Sequence, residues 1–179
     1  WDAIGKALKQ PIYNLLGGKC RDKVRAYANG WYRCPRTPKD FADAARKVTS
    51  LGYTAMKFDP FGIAWRKWDK KDLDLAFDII QSVRNAVGEY VDVAIETHER
   101  LSPTTAIEFG KRLEAIRPMW YVDPVPHYDM RAMTEVARRV VVHLPHSLTN
   151  GITYGIGSLV LLTLAAPEAP VAQVLHASW

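Results

Sequence analysis

Hydrophobic and polar positions alternate along this chain in two periods, and the two periods take turns. Ile4, Leu8, Ile12, Leu15 and Leu16 fall at near-helical spacing over residues 2 to 16, but Pro11 interrupts the pattern and Gly17-Gly18 ends it. Val24 to Ala28 reads as a short strand stopped by Asn29-Gly30. Thr37-Pro38 then offers a capping hydroxyl and a first-turn proline. Phe41, Ala44, Ala45, Val48 and Leu51 follow at helical spacing as far as Gly52.

The same unit repeats. Tyr53 to Asp59 predicts a strand with Ala55, Lys57 and Asp59 on one face, and Leu73, Ala76, Phe77, Ile80, Val83 and Val87 predict an amphipathic helix closed by Gly88. Val91 to His98 is the next strand, and Ser102-Pro103 caps a helix carrying Ala106, Ile107, Gly110, Leu113 and Ile116. Met119 to Val122 is a fourth strand, stopped by Pro124 and Pro126, and Met130 to Arg138 a fourth helix. Val140 to Leu144 is expected to be a fifth strand, Ile152 to Leu164 an apolar helix and Ala172 to Leu175 a last strand. Strands that alternate with helices of this length pair in parallel, in an α/β layer or a barrel.

Composition narrows this picture. A chain of 179 residues, 48% apolar, is long enough for one ordinary core and short for more than two domains. The longest apolar run, Ile152 to Ala166, carries several small polar residues and is shorter than the ~18 apolar residues of a membrane helix. No membrane span is therefore expected. The opening Trp1-Asp2-Ala3 lacks the basic start of a secretory signal, and without an initiator methionine residue 1 is not expected to be the natural start. Two cysteines, Cys20 and Cys34, make no disulfide framework and fit a reducing, cytoplasmic setting. The 24 basic against 19 acidic residues leave a net charge of +5, yet Lys67, Lys70 and Lys71 are interleaved with Asp69, Asp72 and Asp74. No basic stripe with stacking aromatics appears, so a nucleic-acid partner is not expected and an anionic small molecule is.

Candidate chemistry concentrates at the carboxyl ends of the predicted strands. Strand alternation places Ala94, Glu96 and His98 on one face, so a carboxylate and an imidazole leave the strand together. On its own the pair also reads as the polar exit of a buried strand. Lys57, however, stands at the end of the preceding strand, and parallel α/β folds bind their ligands at that end. His146 follows the predicted fifth strand in the same way, whereas His127, His143 and His176 read as structural or surface histidines.

These stretches carry a resemblance. Trp1 to Leu8 and Leu15-Leu16-Gly17-Gly18 are similar to the segment closing the capping domain in the mandelate racemase branch of the enolase superfamily. Tyr53-Thr54-Ala55-Met56-Lys57-Phe58-Asp59-Pro60-Phe61-Gly62, Glu96-Thr97-His98-Glu99-Arg100 and Asp123-Pro124-Val125-Pro126 resemble the barrel of its acid-sugar dehydratases. The resemblance covers most of residues 1 to 139 in the family's order. It implies a partial (β/α) TIM-type barrel of parallel strands over residues 23 to 179, preceded at 1 to 22 by the last helix of a capping domain.

The activity it implies is removal of the proton α to a carboxylate and loss of the β-hydroxyl as water, with Mg²⁺ neutralising the intermediate. By the family pattern Glu96 is a metal ligand, His98 protonates the departing hydroxyl, Lys57 faces the substrate carboxylate and His146 is the base. The implied partner is a small acid sugar. Where the family has Glu-Glu-Pro, with the first Glu a second metal ligand, this chain has Val122-Asp123-Pro124. The match also jumps from the fourth helix to Pro145-His146, so a shortened layout of six strands is expected. Its open strand edges would need cover, for instance in a homo-oligomer. The alternative to an enzyme is therefore a non-catalytic barrel remnant acting as a structural or association module.

Overall fold

The computed structural model describes residues 1–144. They divide into two compact units, 1–26 and 27–144. The first holds two short helices, α1 (Asp2–Leu8) and α2 (Ile12–Leu15), separated where Pro11 breaks the pattern. Gly5 on α1 lies against the Gln10 carbonyl, where a Cβ would come within 2.8 Å of the oxygen.

The second unit runs α3 (Pro38–Ser50), β1 (Ala55–Phe58), α4 (Lys70–Val87), β2 (Asp92–Glu96), α5 (Pro103–Leu113), β3 (Trp120–Val122) and α6 (Met130–Arg139). Its strands pair in the order β1-β2-β3, all parallel, with Lys57 opposite Ala94 and Glu96 opposite Val122. The helix starts follow the sequence signals. Thr37 accepts the Asp40 N–H at 3.2 Å, and Ser102 accepts that of Thr105 at 3.2 Å. Each cap satisfies one of the amide donors that the first turn leaves without a helical partner.

One face of the sheet is closed by α3 to α6. Met56, Phe58, Val93, Ile95 and Tyr121 are fully buried in a core shared with Phe61, Ile79, Ile80, Val83, Phe109 and Leu113. Aromatic rings run through it, Phe61 to Phe109 at 4.9 Å and Phe109 to Tyr121 at 6.5 Å between centroids. Gly110 is glycine because α5 passes close to the chain after α6: a Cβ would stand 2.8 Å from both Val140 methyls.

Two expected strands are not formed. Residues 24 to 28 contribute one bridge, Ala28 to Met56, held by Ala28 N–H to Ala55 O and Lys57 N–H to Ala28 O. Val24 is exposed, so the segment has no apolar face to keep it on the sheet. Residues 140 to 144 contribute one ladder-like bond, Tyr121 N–H to His143 O at 3.0 Å, because Val140 still closes the last turn of α6 and Val141 faces solvent. The predicted helix at 152 to 164, the strand at 172 to 175, His146 and His176 lie outside the described residues. No helix among the described residues is long and apolar enough to cross a membrane.

Candidate active site

The face of the sheet turned away from the helices carries Lys57, Ala94, Glu96 and Val122, and its polar members gather at the carboxyl end. Lys57 Nζ donates to Glu96 Oε2 at 2.6 Å, with the two side chains 18% and 6% exposed. Glu96 Oε1 accepts the N–H groups of Thr97 and His98, both at 3.1 Å. Burial alone opposes charge on both members of this pair. The attraction between them outweighs it, so the Glu96 carboxyl is held below its ordinary range and the Lys57 ammonium above its own. Tyr27 lies with its ring centroid 6.0 Å from Lys57 Nζ. The Tyr32 phenol is pushed up by burial and then by the negative charge of Asp59.

His98 does not continue the strand alternation. β2 ends at Glu96, and His98 and Glu99 take φ of +50° and +61°, the left-handed region that L-residues seldom occupy. The turn nevertheless brings the imidazole back over the site. Nδ1 is 3.7 Å from Glu96 Oε1, Nε2 is 3.7 Å from Asp59 Oδ2, and the side chain is about half exposed. Strained turns of this kind cluster where a side chain must be aimed rather than packed.

Three contributors escape the sequence reading. Arg100 is 6% exposed; it forms an ion pair with Asp59, donates to Gly62 O, and donates through Nε to Thr97 O at 2.9 Å. The loops after β1 and β2 are thereby tied by one guanidinium. Thr97, fully buried, shares its single hydroxyl proton between the carbonyls of Val122 and Asp123, at 2.5 and 2.6 Å, and so links the ends of β2 and β3. His127, expected at the surface, is partly buried and meets Glu99 Oε1 through Nδ1 at 2.5 Å.

Fold and site together define an α/β protein with a cluster of titratable groups at the carboxyl ends of parallel strands. The Enolase C-terminal domain-like family model matches residues 40–150. The chain belongs to that family and so to the enolase superfamily. Among curated proteins it is 44% identical over 130 residues to the D-gluconate dehydratase of Thermoproteus tenax, covering 73% of this chain and 26% of that protein. It is 42% identical over 130 residues to the D-gluconate/D-galactonate dehydratase of Picrophilus torridus, covering 73% and 33%. Among solved structures, a member of the enolase superfamily from Salmonella Typhimurium superposes with a TM-score of 0.73 at 32% identity, over 82% of this chain and 42% of that one. A mandelate racemase/muconate lactonizing enzyme from Jannaschia sp. CCS1 gives 0.73, 32%, 82% and 41%. The chain thus spans about a quarter to a third of the curated relatives.

The described residues do not fit the Mg²⁺ that the family resemblance implies. A hard cation of this size seeks several oxygen ligands in near-octahedral array. No group of three or more His, Cys, Asp or Glu among the described residues is placed to hold a metal ion. Glu96 is closed by Lys57, Asp59 is closed by Arg100, and the β3 residue in register with Glu96 is Val122.

Proposed function

We propose that this chain is the Lys57/Glu96/His98 part of a (β/α)-barrel acid-sugar dehydratase. The observation that carries the reading is the convergence of an ammonium, a carboxylate and an imidazole at the ends of two adjacent parallel strands. It occurs in a chain that is, over 130 residues, 44% identical to a D-gluconate dehydratase and 42% identical to a D-gluconate/D-galactonate dehydratase.

In this reading the Lys57 ammonium receives the substrate carboxylate. One of its three donors is taken by Glu96, which leaves the others for anionic oxygen. His98, half exposed between two carboxylates, gives its proton to the β-hydroxyl as the C–O bond breaks and water leaves. The α-proton goes to a base, a role the family resemblance assigns to His146. The enol so formed tautomerises to a 2-keto-3-deoxy acid.

The full chain, incubated with D-gluconate and with D-galactonate with and without added Mg²⁺, should release 2-keto-3-deoxy acid. His98→Asn should lower the rate by roughly 10²–10⁴-fold, the range for loss of a general acid. Absence of product from both sugars under both conditions contradicts the reading. It would favour the second one, a barrel element that serves structure or association, for which Val122 beside Glu96 is the specific support.

A further inference from the structure

The groups that a divalent cation would need are closed on one another, and the closure has a definite partner. Residues in register on neighbouring strands of a sheet present their side chains to the same face. The place for a second carboxylate beside Glu96 is therefore the β3 position 122, and there the chain has a valine that is 9% exposed. On the opposite side of Glu96, from β1, comes a lysine. Its ammonium is 2.6 Å from Oε2, and both side chains are largely withdrawn from water.

Glu96 Oε1 is meanwhile occupied by the amides of Thr97 and His98. The remaining carboxylate near His98, Asp59, has an arginine of its own and also accepts the Phe61 N–H at 2.9 Å. A metal ion bound at Glu96 would have to sit beside an ammonium in a poorly solvated place, with an isopropyl group where its next ligand belongs. Like charges at such range repel strongly when water does not screen them.

We infer that in this chain Lys57, rather than a divalent cation, is the charge partner of Glu96. Glu96 is then the counter-ion that keeps the Lys57 ammonium charged and aimed along the strand ends. An anionic ligand is received by an ammonium with its own fixed acceptor, without a bridging metal at this carboxylate. The inference does not rest on the dehydratase reading, because metal binding is read with no substrate present.

The test titrates Mn²⁺ into the full chain and follows the electron paramagnetic resonance of the free ion, with circular dichroism to confirm folding. Wild type and Glu96→Gln should give the same free-ion signal at every concentration. Val122→Glu combined with Lys57→Met should gain a saturable site, binding about tenfold or more tighter than wild type, because it adds a carboxylate and removes the ammonium. Saturable binding by wild type that Glu96→Gln abolishes would overturn the inference. A folded double variant that binds no better than wild type would also overturn it, since position 122 and Lys57 would then not be what excludes the ion. If the double variant does not fold, the comparison of wild type with Glu96→Gln decides alone.

Discussion

Arg100→Met is expected to destabilise the chain by about 3–5 kcal/mol, the usual cost of removing one partner from a buried ion pair. Methionine keeps most of the buried volume and discards the charge, so the loss is electrostatic rather than a cavity. Three acceptors are abandoned at once: the Asp59 carboxylate, 15% exposed, and the carbonyls of Gly62 and Thr97. The Asp59 charge is the costly one, because in a largely desolvated place it would keep only the Phe61 N–H and the more distant His98 ring as partners. Urea denaturation of the two proteins gives the number directly. A difference under 1 kcal/mol would show that the guanidinium is solvated and does not tie the two loops. Asp59→Asn combined with Arg100→Met should recover part of the loss, since it removes the stranded charge.

Lys57→Met is the second large effect, about 3 kcal/mol at neutral pH for the same reason, and it also changes the sign of a pH dependence. In the wild type the Glu96 pKa is lowered: burial raises it, and Lys57, with smaller help from His98, overcomes that. A carboxyl with a depressed folded pKa adds stability above its unfolded value, about 4.3, and loses it as pH falls through the folded pKa. The Lys57 pKa is raised, against burial, by Glu96 first and then by Tyr27. That contribution is present below the unfolded lysine value, about 10.4, and disappears as pH climbs through the folded one.

The pair therefore stabilises the fold between roughly pH 4.5 and 10 and is lost on either side. In Lys57→Met the burial of Glu96, which raises its pKa, is opposed only by the smaller lowering from His98 and its backbone N–H. The folded state then binds a proton more readily than the unfolded one, so the variant should gain stability as pH drops from 8 toward 5, where the wild type stays flat. Thermal unfolding across that interval checks it. Parallel curves for the two proteins would mean that Glu96 is hydrated and needs no ammonium.

Much of this architecture is written locally. Thr37-Pro38 and Ser102-Pro103 start helices because a hydroxyl acceptor and a fixed φ are properties of those residues alone. The strands at Ala55 and Asp92 follow from runs that are apolar on the face the helices cover. Lys57 and Glu96 could be found the same way, as polar residues at the ends of such runs. Their contact could not, because it depends on the register that sets Lys57 opposite Ala94 and Glu96 two places further on.

Arg100 was illegible for a related reason. Nothing near it in sequence says that a guanidinium after Glu-Thr-His-Glu is buried, and its acceptors include Asp59 and Gly62 from the preceding loop. His98 comes near Glu96 by another route than strand alternation predicts, since the strand stops at Glu96 and a left-handed turn directs the ring. The strands expected at 24 to 28 and 140 to 144 shrank to one bridge and one hydrogen bond because short apolar runs do not reveal whether a partner edge will meet them.

The most direct measurement on the site is a calorimetric titration of D-gluconate into the full chain in the presence of a chelator, against D-glucose as the uncharged control. Saturable heat with D-gluconate, absent with D-glucose and abolished in folded Lys57→Met, is the predicted result. Equal heats for the acid and the neutral sugar, or binding that survives the loss of Lys57, would contradict the account that these strand ends receive a sugar carboxylate.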